Sequence, residues 1–297
     1  MRLSRLVPPP RIHKGALGQS EAALGPGGRT TLDPAGRDMV LRVKIATWNV
    51  NGIRARVDIV AEWIARKGPD VLCMQETKVV DDDFPFEELT RLGYVVKVSG
   101  QAGYNGVAIA SRLPVSDVST GLYDDPPEAE RRVISATVGG VRVVNVYVPN
   151  GKSVELPSFP EKLRWLERLR VTLDTREDPT RDLFLCGDFN VAREERDVYD
   201  PIRMRGRLHF HPDEHRALAR VLDFGLTDAY RALNEEGGRY SWWDYRGGDF
   251  RNNRGLRIDY AFVTRSLGAR LRAAEIDVEP RRLPKPSDHT PVLVEFG

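Results

Sequence analysis

The sequence predicts one α/β domain, and three features lead to it. From residue 40 onward, strand-like and helix-like segments mix without internal repeats. No long linker divides the 297 residues, a length that one large α/β domain can fill. Hydrophobic residues make up 41% of the chain, enough for a substantial core, beside an ordinary 30% of charged residues.

Taken in order, apolar runs bounded by turn formers predict strands at 41–48, 71–75, 94–98, 106–111, 132–138, 141–147, 183–187, 258–263 and 292–296. Helices are expected at 54–66, 84–92, 160–176 and 212–223. Phe159-Pro160-Glu161 suits a helix start, and Leu163, Leu166 and Leu169 follow at helical spacing. Asn51-Gly52, Asn105-Gly106 and Asn150-Gly151 mark tight turns at strand ends.

Residues 1–38 differ in kind. They hold five prolines and six glycines, show no sustained periodicity, and read as an extended or disordered extension. They also lack a continuous apolar core of the sort a secretory signal needs, so a cytoplasmic protein is expected. Met39 stands just before the first strand, Val40 to Ala46. A single catalytic domain over 39–297 is expected, with the extension dispensable and His13 inert.

Charge gives no global clue. Six basic residues face three acidic ones in the extension, and the remaining chain is nearly neutral. A nucleic-acid reading must therefore rest on local patches. No run approaches eighteen apolar residues, so no membrane span is expected. Cys73 and Cys186 both lie in strand-like runs, away from any CxxC or Cys/His cluster. They read as buried, reduced thiols.

The polar residues collect at strand ends. Leu183-Phe184-Leu185-Cys186 runs into Gly187-Asp188-Phe189-Asn190, and a period of two puts Asp188 and Asn190 on one side of the backbone. A buried carboxylate needs a partner, a metal or a task. Asp188 as the cap of a following helix is the competing reading. Similar junctions carry Asn49, Glu76, Tyr147, Asn150, Asp259 and Asp288-His289. Turn preference explains some of these residues, but not four carboxylates with a histidine and a phenol.

That set matches the needs of metal-assisted phosphodiester hydrolysis. Glu76 and Asp288 are oxygen ligands suited to Mg²⁺. Asp188 is placed to orient and deprotonate a water. His289, held by Asp259, suits charge developing on a phosphoryl oxygen. His209, His211 and His215 lie in an Arg-rich stretch, where solvated or phosphate-touching roles compete with metal ligation. No phosphate loop, GxGxxG or GxSxG elbow occurs.

Residues 246–257 carry four arginines against one acid, flanked by Trp242, Trp243 and Tyr245. Arg251 and Arg254 in this loop are candidates to grip nucleic-acid phosphates. For Trp243 a core role is the competing reading.

The blocks TWNVNGIRAR (47–56), PDVLCMQETK (69–78), VYVPNG (146–151), CGDFNVA (186–192), SWWDYR (241–246), NRGLRIDY (253–260) and PSDHTPV (286–292) resemble the exonuclease III family of abasic-site endonucleases, within the deoxyribonuclease I-like phosphodiesterases. They span nearly all of residues 41–297. The resemblance implies a four-layer α/β sandwich, two packed mixed sheets with helices outside and the site at one end. It implies a metal site formed by Asn49, Glu76, Asp188, Asn190, Asp288 and His289. Asp188 and Asn190 would position the attacking water and the phosphate, and Asp188 is expected to be ionised. Asp259 and His289 would form an acid–imidazole pair, and Tyr147 would contact the phosphate. Asn51 sits where certain relatives carry Asp, which removes a carboxylate.

The positions of Trp242, Leu256 and Ile258 resemble an apolar pocket for a baseless sugar. Arg54, Lys78, Tyr104, Asn150 and Arg203-Met204-Arg205 are further contact candidates, although surface charge is the competing reading for the last group. The function implied is Mg²⁺-dependent hydrolysis 5′ to abasic sites in double-stranded DNA, with 3′→5′ exonuclease and 3′-end-cleaning activity. Mn²⁺ is expected to substitute. The expected partner is duplex DNA with abasic sites or blocked 3′ ends, bound by a monomer. A same-fold phosphodiesterase on another substrate and a non-catalytic DNA-binding relative are the alternatives.

Overall fold

The computed structural model describes residues 42–297, together with the backbone of a two-residue strand pair, β1 (Thr31–Leu32) antiparallel to β2 (Asp38–Met39). Apart from those four residues, the expectations for the N-terminal extension, for His13 and for a strand beginning at Val40 lie outside the described residues. The first strand of the domain is β3 (Val43–Asn49).

With eleven further strands, β3 forms two mixed six-stranded sheets. One has the order β13-β14-β3-β4-β6-β5, with β4 (Val71–Gln75), β5 (Val95–Ser99), β6 (Val107–Ser111), β13 (Leu271–Ile276) and β14 (Val292–Phe296). The other has the order β11-β12-β10-β9-β8-β7. Its strands are β7 (Val115–Thr120), β8 (Val133–Val138), β9 (Val141–Tyr147), β10 (Leu183–Asp188), β11 (Leu226–Asp228) and β12 (Asp259–Thr264). Only β3–β4 and β9–β10 pair in parallel.

Alternation along the strands decides the layers. Ile45, Val71, Cys73, Val107 and Ile109 meet Ile134, Val143, Phe184, Cys186 and Val263 between the sheets. The neighbours of opposite parity face outward. Ala46, Trp48, Leu72 and Met74 pack against α1 (Val57–Lys67). Val144, Val146 and Leu185 pack against α3 (Ser158–Arg176) and α5 (Pro212–Leu222). The four-layer sandwich expected from the sequence is therefore present. Both cysteines are buried and free. Among the described residues no helix is long and apolar enough to cross a membrane.

The expected strands match to within two residues, and three strands of the two six-stranded sheets were not anticipated. β7 and β13 are sheet edges with exposed faces and register shifts, and β7 carries Asp117 at φ 50°. Such strands lose the apolar alternation that marks a strand in sequence. β11 has only three residues. The four-residue helices α4 (Pro201–Met204) and α6 (Arg265–Gly268) were missed for the same reason of length, while α2 is Phe86–Thr90.

Candidate active site

The inward-facing residues turn polar at one end of the sandwich. Asp188 pairs in register with Tyr147 on one side and Asp259 on the other, so three functional groups stand abreast on β9, β10 and β12. Asn49 ends β3 on the opposing sheet, and its Nδ2 donates to Asp188 Oδ2 at 2.9 Å and to Glu76 Oε1 at 2.8 Å. A layer of fully buried polar groups lies beneath. Gln75 Nε2 donates to Thr47 Oγ1 (2.8 Å) and Asn145 Oδ1 (2.6 Å), and Asn145 Nδ2 donates to the Met74 and Ala108 carbonyls. These bonds tie the sheets together just where the dry core ends.

Tight backbone geometry delivers the side chains. Gly187 adopts φ 138°, and a Cβ there would lie 1.9 Å from the Val146 carbonyl oxygen, so only glycine can precede Asp188. Glu76 (φ 52°), Lys78 (φ 58°), Asn51 (φ 46°) and Asn190 (φ 53°) all occupy the left-handed region. Non-glycine residues in that region are costly and persist where surrounding contacts over-determine them, as they do at functional sites.

Among the described residues, one group of three side chains could hold a metal ion. Atoms of Glu76, Asp188 and His289 lie within 4.8 Å of one another. Two carboxylates amid amide and hydroxyl neighbours form a hard-oxygen set that fits a hard divalent cation. Burial works to raise the Glu76 carboxyl, but Lys78 at 2.8 Å and the Asn49 hydrogen bond outweigh it and the net shift is downward. Asp288 lies outside the group of three. Its two oxygens accept from Asn51 Nδ2 (2.8 Å) and Trp242 Nε1 (3.1 Å).

Asp188, expected to be ionised beside a metal, sits in surroundings that raise its carboxyl above the usual range. Burial raises it to about 7, with Asp259 and Glu76 adding to the rise and His289 opposing it. Its Oδ1 accepts the Asn190 backbone N–H at 2.9 Å, a local turn bond. No helix follows, so the competing helix-cap reading falls away.

His289 Nδ1 donates to Asp259 Oδ2 at 2.8 Å, and Nε2 lies 3.6 Å from Asp188 Oδ2. Burial opposes protonation, but Asp259 and Asp188 overcome it and carry the imidazole to about 10. An imidazolium donates hydrogen bonds and does not ligate a cation. Because the folded pKa exceeds 6.5, this group's stabilisation is fully present below about pH 6.5 and is lost as pH rises through about 10. In Asp259→Asn the His289 pKa is expected to fall well below that of the parent. A proton NMR titration of the ring checks it, and a parent His289 titrating near 6.5 contradicts the pairing.

Tyr147 lies under the Arg132 guanidinium, 4.7 Å from ring centroid to charge. Burial, then Glu76 and Asp188, push the phenol well above its usual range, so it stays protonated and can donate. Asn150 Nδ2 donates to Asn190 Oδ1 at 3.0 Å.

The residues expected to form the sugar pocket lie together as a packed apolar cluster. Trp242 packs with Leu256, Ile258, Val198 and Phe210, and Trp242, Leu256 and His289 join through isolated bridges. Trp243 belongs to the core, edge-on to Phe250. Arg251 and Tyr104 are exposed, whereas Arg254 turns back onto Asp249 and the Gly247 carbonyl. Arg257 is no part of the basic loop surface; it is buried against Asp197 and Asp228. Arg54 pairs with Asp83 on the surface, and Arg205 with Glu195.

His209, His211 and His215 are half-buried, and each is tied to backbone by a hydrogen bond. His209 Nδ1 donates to the Asn190 carbonyl (2.6 Å), His211 caps α5, and His215 bonds the Ala192 carbonyl. Burial drives His209 down to about 3, so it is neutral. Lys162 and Glu214, both 0% exposed, were not anticipated. The available signal was a lysine on the apolar stripe Phe159, Lys162, Leu166, Leu169, Leu173 of α3.

Residues 46–289 match the model of the endonuclease/exonuclease/phosphatase family. The chain is 35% identical over 266 residues to the exodeoxyribonuclease III of Haemophilus influenzae, covering 86% of this chain and 100% of that one. It superposes on an AP endonuclease from Archaeoglobus fulgidus with a TM-score of 0.82 at 41% identity, covering 86% and 99%. A 3′ phosphatase from Neisseria, bound to a product DNA hairpin, gives a TM-score of 0.82 at 42% identity over the same shares.

Proposed function

The chain belongs to the endonuclease/exonuclease/phosphatase family, among its exonuclease III-like DNA repair nucleases, and on that premise we propose that it uses Mg²⁺ to hydrolyse the phosphodiester 5′ to abasic sites in duplex DNA. The same site would act as a 3′→5′ exonuclease and remove 3′ phosphates. The observation that carries the reading is the convergence of Glu76, Asp188 and His289 within 4.8 Å, with Asp259 behind the imidazole.

Glu76 and Asp188 would hold the cation, which when bound neutralises charge on the phosphoryl oxygen. Asp188 takes the proton of the attacking water, and a nearby cation favours the carboxylate it needs. The Asn190 and Asn150 carboxamides orient water and phosphate. His289, as imidazolium, and the Tyr147 phenol donate hydrogen bonds to oxygens that gain charge. Trp242, Leu256 and Ile258 offer an apolar slot without base-edge partners, which favours a flipped sugar that has lost its base. Asp288, beside that site, would orient Trp242 and Asn51.

The test is a duplex with one stable abasic analogue, incubated with Mg²⁺ or with chelator. A single metal-dependent nick 5′ to the analogue is expected. An intact duplex in Mg²⁺ overturns the proposal.

A further inference from the structure

A fully buried ammonium sits behind the two carboxamides of the site. Lys162 has three N–H donors and three acceptors: the Asn190 carbonyl at 2.6 Å, the Asn150 carbonyl at 3.3 Å and Glu214 Oε1. Glu214 Oε2 in turn accepts the His211 backbone N–H at 3.0 Å, which ties the pair to the start of α5. The Asn190 carbonyl receives a second donor, His209 Nδ1 at 2.6 Å. Asn190 adopts φ 53°, and these donors hold that unfavourable backbone in place.

A buried ion pair seldom stabilises more than an apolar pair of equal size, so stability alone does not explain it. Lys162 also stands on the apolar stripe of α3, where leucine would satisfy packing. What leucine would not supply is the link between the Asn150 and Asn190 turns. Those turns come from different strand ends, and their side chains meet through Asn150 Nδ2 and Asn190 Oδ1 at 3.0 Å.

We propose that Lys162 and Glu214 are a buried positioning pair that sets the Asn150 and Asn190 carboxamides against the phosphate. The pair touches neither substrate nor cation and acts only through those two backbones. For catalysis, this rests on the nuclease reading above.

Two variants test it, Lys162→Met/Glu214→Gln, which removes both charges together, and Glu214→Gln alone, which frees the ammonium from its anchor. The readouts are the thermal midpoint, kcat and KM on the abasic-analogue duplex in Mg²⁺, and the side-chain amide resonances of Asn150 and Asn190 in free protein. For the double variant a kcat loss of roughly 10- to 100-fold is expected, at nearly unchanged KM, with displaced carboxamide resonances. Glu214→Gln should show the same pattern at roughly 3- to 10-fold, and it carries the test if the double variant does not fold. A folded variant with parental kcat and unmoved carboxamides overturns the proposal. So does a loss of activity that only tracks a fallen thermal midpoint. If the parent itself does not nick the duplex, the nuclease reading fails separately, and the carboxamide resonances still decide the positioning.

Discussion

Asp188→Asn is expected to lower the nicking rate on an abasic duplex by roughly 10²- to 10³-fold, the scale of losing a group that acts in the transition state. The substitution keeps shape but replaces Oδ2, which accepts from Asn49 Nδ2 at 2.9 Å, with an N–H donor. Asn can still accept the Asn190 backbone N–H now bonded at 2.9 Å. It loses the negative charge that faces His289 at 3.6 Å and would face a bound cation. Stability should shift with pH. Burial raises the Asp188 pKa from 3.8 to about 7, so ionising it costs folding free energy increasingly as pH rises from about 4 to 7. The melting midpoint of the Asn variant relative to the parent should therefore rise as pH goes from about 4 to 8. Single-turnover kinetics and a melting curve measure both. A variant that retains parental rate, or that unfolds, returns Asp188 to a structural role.

Asp197→Ala is expected to destabilise the fold by about 3–5 kcal/mol without touching any group of the site. Asp197 is 0% exposed and receives Arg257 at 2.8 and 3.0 Å, with Arg231 bonded to the same carboxylate. Arg257 also reaches Asp228 at 2.8 Å and lies 4.5 Å over the Tyr260 ring. Removing the acid leaves two buried guanidinium groups short of charge and acceptors. Burial alone would raise the Asp197 carboxyl, but the two arginines hold it below its usual range. Its contribution is thus present at neutral pH and lost as pH falls through that lowered pKa. The melting midpoint should drop on the order of 10 °C. Activity below the new midpoint should fall less, because the Asp197 carboxylate bonds only Glu194, Arg231 and Arg257, none of them in the site. A shift under about 2 °C, a scale set by ~1 kcal/mol in a domain of this size, would falsify the network's role.

The interior strands were legible because burial on both faces leaves continuous apolar runs, as in Leu183-Phe184-Leu185-Cys186. Their polar ends were legible too, since Asn49, Tyr147, Asp188 and Asp259 break those runs. Edge strands β7, β11 and β13 were not, because half-exposed or three-residue segments carry no such pattern. The arginines of residues 246–257 looked alike in sequence. Folding divides them into exposed Arg251, self-bonded Arg254 and buried Arg257.

The sequence by itself determined the layers and the cast of the site, because period-two alternation and interrupted apolar runs are local properties of a chain. Only the tertiary structure decided protonation and support. The charge states of Asp188 and His289 depend on how deeply both are buried and on Asp259, which arrives from another strand. The anchors of Asn150 and Asn190 are a lysine 12 and 28 residues away acting on backbone carbonyls, which no side-chain pattern encodes. Electrostatic energy depends on distance and desolvation, and both exist only once the two sheets have closed on each other.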